Sequence, residues 1–167
     1  EKLKEIASHD LMTGCLSRRA GIKILEAAMK SSEHNKKPLS MLLLDIDHFK
    51  RVNDNWGHMV GDKVLKRVAK IVKGEVRVQD SVIRTGGEEF VVLLPDTDAQ
   101  QAFLTAERLR AAIESFSHPN VGKITASFGV AEKRKDDNRL SWYKRVDDAL
   151  YHAKETGRNR VFNADDL

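Results

Sequence analysis

The sequence predicts a layered α+β sandwich, and three observations carry that prediction. Two β-prone runs, residues 80–85 and 88–94, flank Gly86-Gly87, and such a pair separated by Gly-Gly reads as a hairpin. The hairpin is embedded in a strand and helix order of β-α-β-β-α-β with extra helices, which does not match a doubly wound parallel sheet. The chain has 167 residues and is 41% hydrophobic, enough for one domain with a sizeable core and too apolar for a disordered tail.

The elements follow in order. Residues 1–6 (EKLKEI) read as the last turns of a charged helix, so residues 1–8 are expected to close a linker or signalling helix cut from a longer protein. Residues 9–167 are expected to form the domain proper. Ser17 can N-cap a helix through about Lys30, with Ile22, Leu25 and Met29 at spacings of three and four, ended by a polar loop at 31–38. Residues 39–47 form an apolar run closing in Asp45 and Asp47, a core strand with a polar C-terminal end, where α/β sites gather. After a loop around Gly57, Val60, Val64, Val68 and Val72 define a helix stopped by Gly74.

Beyond the hairpin, Asp98 and Gln101 have capping-box spacing, and Ala102, Ala106, Leu109, Ile113 and Phe116 line one helix face. Residues 123–131 read as a strand. Residues 141–154 read as a helix with Tyr143, Val146, Leu150 and Ala153 on its buried stripe, and residues 160–163 as a closing strand.

Charge and composition narrow the function. Lys plus Arg number 29 and Asp plus Glu 25, a net +4, which excludes a histone-like arm or an acidic tail and is thin for a duplex DNA binder. A nucleic acid polymer is therefore not the expected partner, and a small phosphorylated ligand is compatible. Cys15 is the only cysteine, so no intrachain disulfide is possible; it reads as a small buried hydrophobe in a reducing, cytoplasmic setting. The longest apolar runs are strand-sized, so no membrane contact is expected from these residues. A preceding part of the protein is free to supply an anchor.

The chemistry concentrates in a few places. Glu88 and Glu89 are adjacent carboxylates directly after two glycines, an arrangement that is unfavourable unless a cation or solvent separates the charges. With Asp45 they make an oxygen-rich set suited to Mg²⁺ and phosphates; the competing reading is a solvated turn. Lys154 and Arg158 sit four apart at the end of the last helix, either complementing its dipole or holding phosphate oxygens. Lys50, Asn53, Asp54 and Asp62 surround the loop after Asp45. A carboxylate with an amide matches the hydrogen-bonding edge of guanine and not that of adenine.

Taken together these residues resemble the GGDEF domain of bacterial diguanylate cyclases. The signature stands as Gly86-Gly87-Glu88-Glu89-Phe90, the GGEEF form. Four more blocks agree in order and spacing: DLMTGCLSR from Asp10, LDIDHFKRVNDNWGHMVGD from Leu44, Ser127-Phe128-Gly129-Val130, and ALYHAK from Ala149 followed by Gly157-Arg158-Asn159. Five ordered blocks cover nearly the whole chain, whereas GGEEF alone is weak. Met12, Cys15 and Ser17 depart mildly from the opening motif and touch its packing, not the chemistry.

The resemblance implies a central, mostly antiparallel five-stranded, palm-like sheet with the signature on a hairpin. It implies that two GTP condense into cyclic di-GMP with release of two pyrophosphates, in a homodimer of facing domains. By similarity Asp45, Glu88 and the Ile46 carbonyl hold Mg²⁺, with Mn²⁺ able to substitute, and Glu89 serves a second metal or the 3′-hydroxyl. Asn53 and Asp62 read guanine, while Phe49, Lys50, His58, Gly86, Gly87, Lys154 and Arg158 border the GTP. His58 is expected to make a structural hydrogen bond and Asp47 to be structural. Arg77-Val78-Gln79-Asp80, five residues before the signature, matches in place the family's inhibitory product site, with Arg108 as a further contact. The motif alone says little, since 13 Arg and 14 Asp yield about one chance occurrence. The alternatives are a non-catalytic receptor for GTP or cyclic di-GMP, and a cyclase with a mononucleotide product.

Overall fold

A computed structural model describes residues 8–167, so the helical reading of residues 1–6 lies outside it. Chain order is α1 (Arg18–Asn35), β1 (Leu39–Ile46), α2 (Phe49–Trp56), α3 (His58–Glu75), β2 (Ser81–Arg84), β3 (Glu89–Pro95), α4 (Ala99–Ser115), β4 (Ser117–His118), β5 (Gly122–Lys123), β6 (Ala126–Glu132), α5 (Arg139–Glu155), β7 (Val161–Asn163) and a final 3-10 turn. Five strands form one sheet in the order β2-β3-β1-β6-β7; β4 and β5 make a separate ribbon. Among the strand pairs of this sheet, β6–β7 alone is parallel, and an isolated parallel bridge joins Leu16 to Ile83 of β2.

The middle strand explains the layering. β1 is buried along both faces, and its alternate residues enter different cores: Leu42 and Leu44 join Val64, Val68 and Leu109 on one side, while Met41 and Leu43 join Leu25, Trp142 and Val146 on the other. Helices α2, α3 and α4 therefore cover one face, and α1 and α5 the other.

Local chemistry sets most boundaries. Ser17 caps α1 by accepting from Ala20 NH, and Asp98 with Gln101 completes a reciprocal capping box. Four expectations change. Helix α1 runs five residues past Lys30, to Asn35, because residues 31–35 remain helical until Lys36 turns left-handed at φ 53°. The segment after Asp47 is a short helix, α2, and not a loop. Gly74 lies inside α3, which ends at Glu75. The stripe of α5 is carried by fully buried Trp142, whose Nε1–H donates to the Ala131 carbonyl at 3.0 Å, while Tyr143 is half-buried and turned to polar work.

Helix α5 can lie on the sheet because β6 carries Gly129. A Cβ there would stand 2.3 Å from the Val146 carbonyl oxygen and 2.6 Å from the Leu150 nitrogen. That close approach seats the helix that delivers Tyr143 and Lys154. Cys15 is buried as expected.

Candidate active site at the end of the central strand

The register of β1 with β3 sets Asp45 opposite Glu89, and the Ile46 NH donates to the Glu88 carbonyl at 3.2 Å, tying the signature turn to the end of β1. Three carboxylates and the Ile46 backbone thus converge from segments more than forty residues apart. Lys154, from the last turn of α5, forms an ion pair with Asp45 Oδ2. Burial raises the pKa of Asp45, with Lys154 opposing and Glu89 and Asp47 adding to the rise. Burial, then the Asp45 charge, raises Glu88 as well.

Asp45 and Asp47 lie two residues apart and meet opposite fates. Asp47 accepts from Ser127 Oγ at 2.6 Å, Thr125 Oγ1 at 2.7 Å and the Asn159 NH at 3.0 Å. It is a satisfied structural group. It holds a turn in which Arg158 and Asn159 both have positive φ, 62° and 47°, a conformation costly for side chains other than glycine. The Asn159 side chain closes that turn by bonding Glu114 at 2.7 Å and Arg110 at 3.0 Å. Arg158 is thereby presented beside Asp47, at 4.0 Å. Asp45 Oδ1, in contrast, is buried with no hydrogen-bond partner. An orphaned carboxylate oxygen is donor chemistry that suits a hard divalent cation, so Asp45 fits one, while the described residues form no ready-made group of three ligating side chains around it.

Glu89 is anchored by two donors to one oxygen: Tyr143 O–H at 2.8 Å and Thr85 O–H at 3.0 Å, both to Oε1. Burial, followed by the neighbouring Glu89, pushes the Tyr143 pKa upward, so the phenol stays protonated and remains a donor. Asp147, one turn on from Tyr143, is also raised, by burial and then Glu89. From the sequence Tyr143 reads as part of the buried stripe, and no motif marks Asp147 or Arg84. Arg84 bonds Asp10 at 3.0 Å, the Gly87 carbonyl at 2.8 Å and the Gly86 carbonyl at 3.2 Å, locking the opening motif onto the signature turn. The alternation of the hairpin was the available signal for Arg84; nothing local marked Tyr143.

The proposed base-reading pair sits on α2 and α3. Asn53 is half-buried and its Oδ1 has no partner. A methyl group on Gly61 would come within 1.8 Å of that oxygen, so the missing side chain at 61 leaves Asn53 its place against α3, at the residue before Asp62. Phe49 is buried in the core below, and Lys50 is exposed. His58 opens α3 in an exposed position and makes no side-chain hydrogen bond among the described residues, contrary to expectation, because it precedes the part of the helix that packs.

At the other end of the hairpin, Arg77 forks onto Asp80 with Nη2 at 2.7 Å and Nε at 3.1 and 3.2 Å, and also reaches the Pro95 carbonyl and Thr97. Arg108 comes to the same turn through Glu75, donating to its carbonyl at 3.0 Å. The structure joins Arg77 to Asp80, whereas Arg108 is tied to Glu75, two residues before Arg77, and makes no hydrogen bond or ion pair with that pair among the described residues.

Comparison with known proteins identifies the family. Residues 7–160 match the family described as diguanylate cyclase, GGDEF domain. The chain is 42% identical over 164 residues to diguanylate cyclase DgcM of Escherichia coli K12, covering 98% of this chain and 40% of that protein. It is 39% identical over 163 residues to the response regulator PleD of Caulobacter vibrioides, covering 94% and 36%. The chain thus spans about two-fifths of the length of these relatives. Among solved structures, the GGDEF domain of DgcB from Caulobacter crescentus in complex with c-di-GMP superposes with a TM-score of 0.91 at 34% identity, covering 95% of this chain and 96% of that one. Diguanylate cyclase SiaD of Pseudomonas aeruginosa, in complex with its activator SiaC, gives 0.91 at 36% identity, covering 97% and 64%.

Proposed function

Because the chain belongs to the GGDEF domain family of diguanylate cyclases, we propose that it condenses two GTP into cyclic di-GMP and two pyrophosphates, each 3′-hydroxyl attacking the α-phosphorus held by a facing copy. The observation that supports this most is the convergence of Asp45, Glu88 and Glu89 at the strand end, with one Asp45 oxygen unpaired. Asp45, Glu88 and the Ile46 carbonyl hold Mg²⁺ in this reading. Mg²⁺, when bound, offsets the charge that develops on the reacting phosphate oxygens.

The remaining roles belong to side chains. Asn53 and Asp62 orient guanine, and Lys154 and Arg158 hold the terminal phosphates, with Lys50 assisting from α2. Lys154 already neutralises Asp45, so it stands where phosphate and carboxylate charge meet. Glu89, fixed through Oε1 by Tyr143 and Thr85, presents its other oxygen to the reacting groups. Arg77, Asp80 and Arg108 bind product: Arg can fork to guanine O6 and N7, and Asp can accept from N1 and N2.

Because each copy contributes half of the reacting pair, turnover per molecule should rise with protein concentration. Incubation with GTP and Mg²⁺ across protein concentrations, with product removed enzymatically, tests this. No cyclic di-GMP at any concentration overturns the reading. Nucleotide binding by calorimetry without pyrophosphate release would establish a receptor, and mass spectrometry identifies a mononucleotide product.

A further inference from the structure

Helix α3 carries Lys63, Lys66, Arg67 and Lys70 at i, i+3, i+4 and i+7, one face of the helix. None of the four makes an ion pair among the described residues, whereas Arg77, Arg84, Arg110, Lys123 and Arg145 each do. Four mutually repelling cations within two turns equal in number the whole surplus of positive charge on the chain. Solubility alone does not require that concentration.

The cations border a cleft of about 360 Å³ between α3 and the β4–β5 ribbon. That volume is in the range of small-molecule sites, about 300–1,000 Å³. Among the described residues no carboxylate lines it, and Val64 and Pro119 make part of an apolar floor. Arg67 lies 4.6 Å from the centroid of the Phe116 ring, and Phe116 meets His118 edge-on at 4.7 Å. His118 is the second independent sign of a ligand. It lines the cleft, is only 3% exposed, and its Nε2 is buried with no partner. A purely solvated helix face has no use for an unpaired polar group in its floor, because that group costs free energy until something bonds it. Burial, then Arg67, lowers the imidazole pKa, so the ring adds a hydrogen-bonding group and not a fifth charge.

We propose that this cleft is a second anion site, sharing no lining residue with the carboxylate site, and that it takes a linear phosphate chain, either free or as the polyphosphate of a nucleotide. Seven residues of helix advance about 10 Å, longer than one phosphate and suited to several in a row. The phosphates lie along the four cations, and a base, where present, rests on the apolar floor within reach of the imidazole.

Calorimetric titration of the whole chain with inorganic tripolyphosphate and with ATP, at low salt and without divalent cation, tests the site. Saturable binding that weakens about tenfold or more in Lys66→Ala/Arg67→Ala, and stays within about twofold of wild type in Arg158→Ala, is the expected result. Equal affinity for the two probes identifies the free chain as ligand; tighter ATP binding that His118→Gln reduces identifies the nucleotide. Absence of saturable binding overturns the proposal, as does a loss that follows Arg158→Ala and spares the double variant. Melting curves verify each fold, and Lys63→Ala/Lys70→Ala, both exposed positions, replaces the first pair if Arg67 proves necessary for folding.

Discussion

The β2–β3 hairpin handles charge differently at its two ends. At the turn end, Glu88 and Glu89 stand beside Asp45, the pKa values of Asp45 and Glu88 are raised, first by burial, and an oxygen of Asp45 has no partner among the described residues. At the open end, Asp80 is almost wholly enclosed, with a side chain 1% exposed, and fully met by the fork of Arg77. One end holds carboxylate charge that Lys154 meets only in part. The other is already neutral, so a ligand must exchange with an existing pair. Two candidate sites on one hairpin are thus distinguished by how completely each is satisfied before any ligand arrives.

The sharpest way to break this contrast is to remove the unmet charge. Glu88→Ala should lower the rate of cyclic di-GMP formation about a thousandfold or more, equivalent to roughly 4 kcal/mol of transition-state stabilisation, with the melting temperature unchanged or raised. A residual rate above a tenth of wild type in a product assay would move the role away from Glu88. Tyr143→Phe tests whether the turn end also depends on bracing. Loss of one donor to Glu89 should reduce kcat by about tenfold, leave KM for GTP within about twofold and cost about 1 kcal/mol of stability. Thermal melts beside the kinetics separate positioning from simple destabilisation.

At the open end the expectation reverses. Arg77→Ala should leave the initial rate within about twofold of wild type and abolish inhibition by added cyclic di-GMP, read from progress curves with and without product. Inhibition equal to wild type would exclude this turn as the product site. The smallest effect concerns Asp10, which joins the turn end through Arg84. Burial works to raise its pKa, but hydrogen bonds from Thr13 and Arg84 outweigh it and hold the carboxyl below its ordinary value. A depressed folded pKa contributes stability that is complete above the unfolded value and lost as pH falls through the folded one. The melting-temperature gap between wild type and Asp10→Asn should accordingly be constant above about pH 5 and narrow below about pH 4.

Much of this was legible in the sequence, for reasons that are local. The Gly-Gly pair between β-prone runs, the Asp98–Gln101 box and the valines of α3 act through neighbours a few residues away, so spacing alone reveals them. The misreadings were also local: α2 lacks a capping side chain and α1 overruns its last apolar position into polar residues that remain helical.

What the sequence by itself determined is the set of chemical groups and the elements that carry them: the carboxylates at strand ends, the cations at the end of α5, the Arg-x-x-Asp turn. Which of those groups is satisfied was decided by the tertiary structure alone. Asp45 and Asp47 are the same residue type, two positions apart at the end of one apolar run. They differ only because Ser127, Thr125 and the Asn159 backbone close around one, while Lys154 covers a single oxygen of the other. Likewise, Tyr143 reads as core until α5 settles against Gly129 and brings its hydroxyl to Glu89, 54 residues away in sequence. Hydrogen-bond satisfaction depends on distances between segments that periodicity does not encode, and burial sets how much each unmet bond costs.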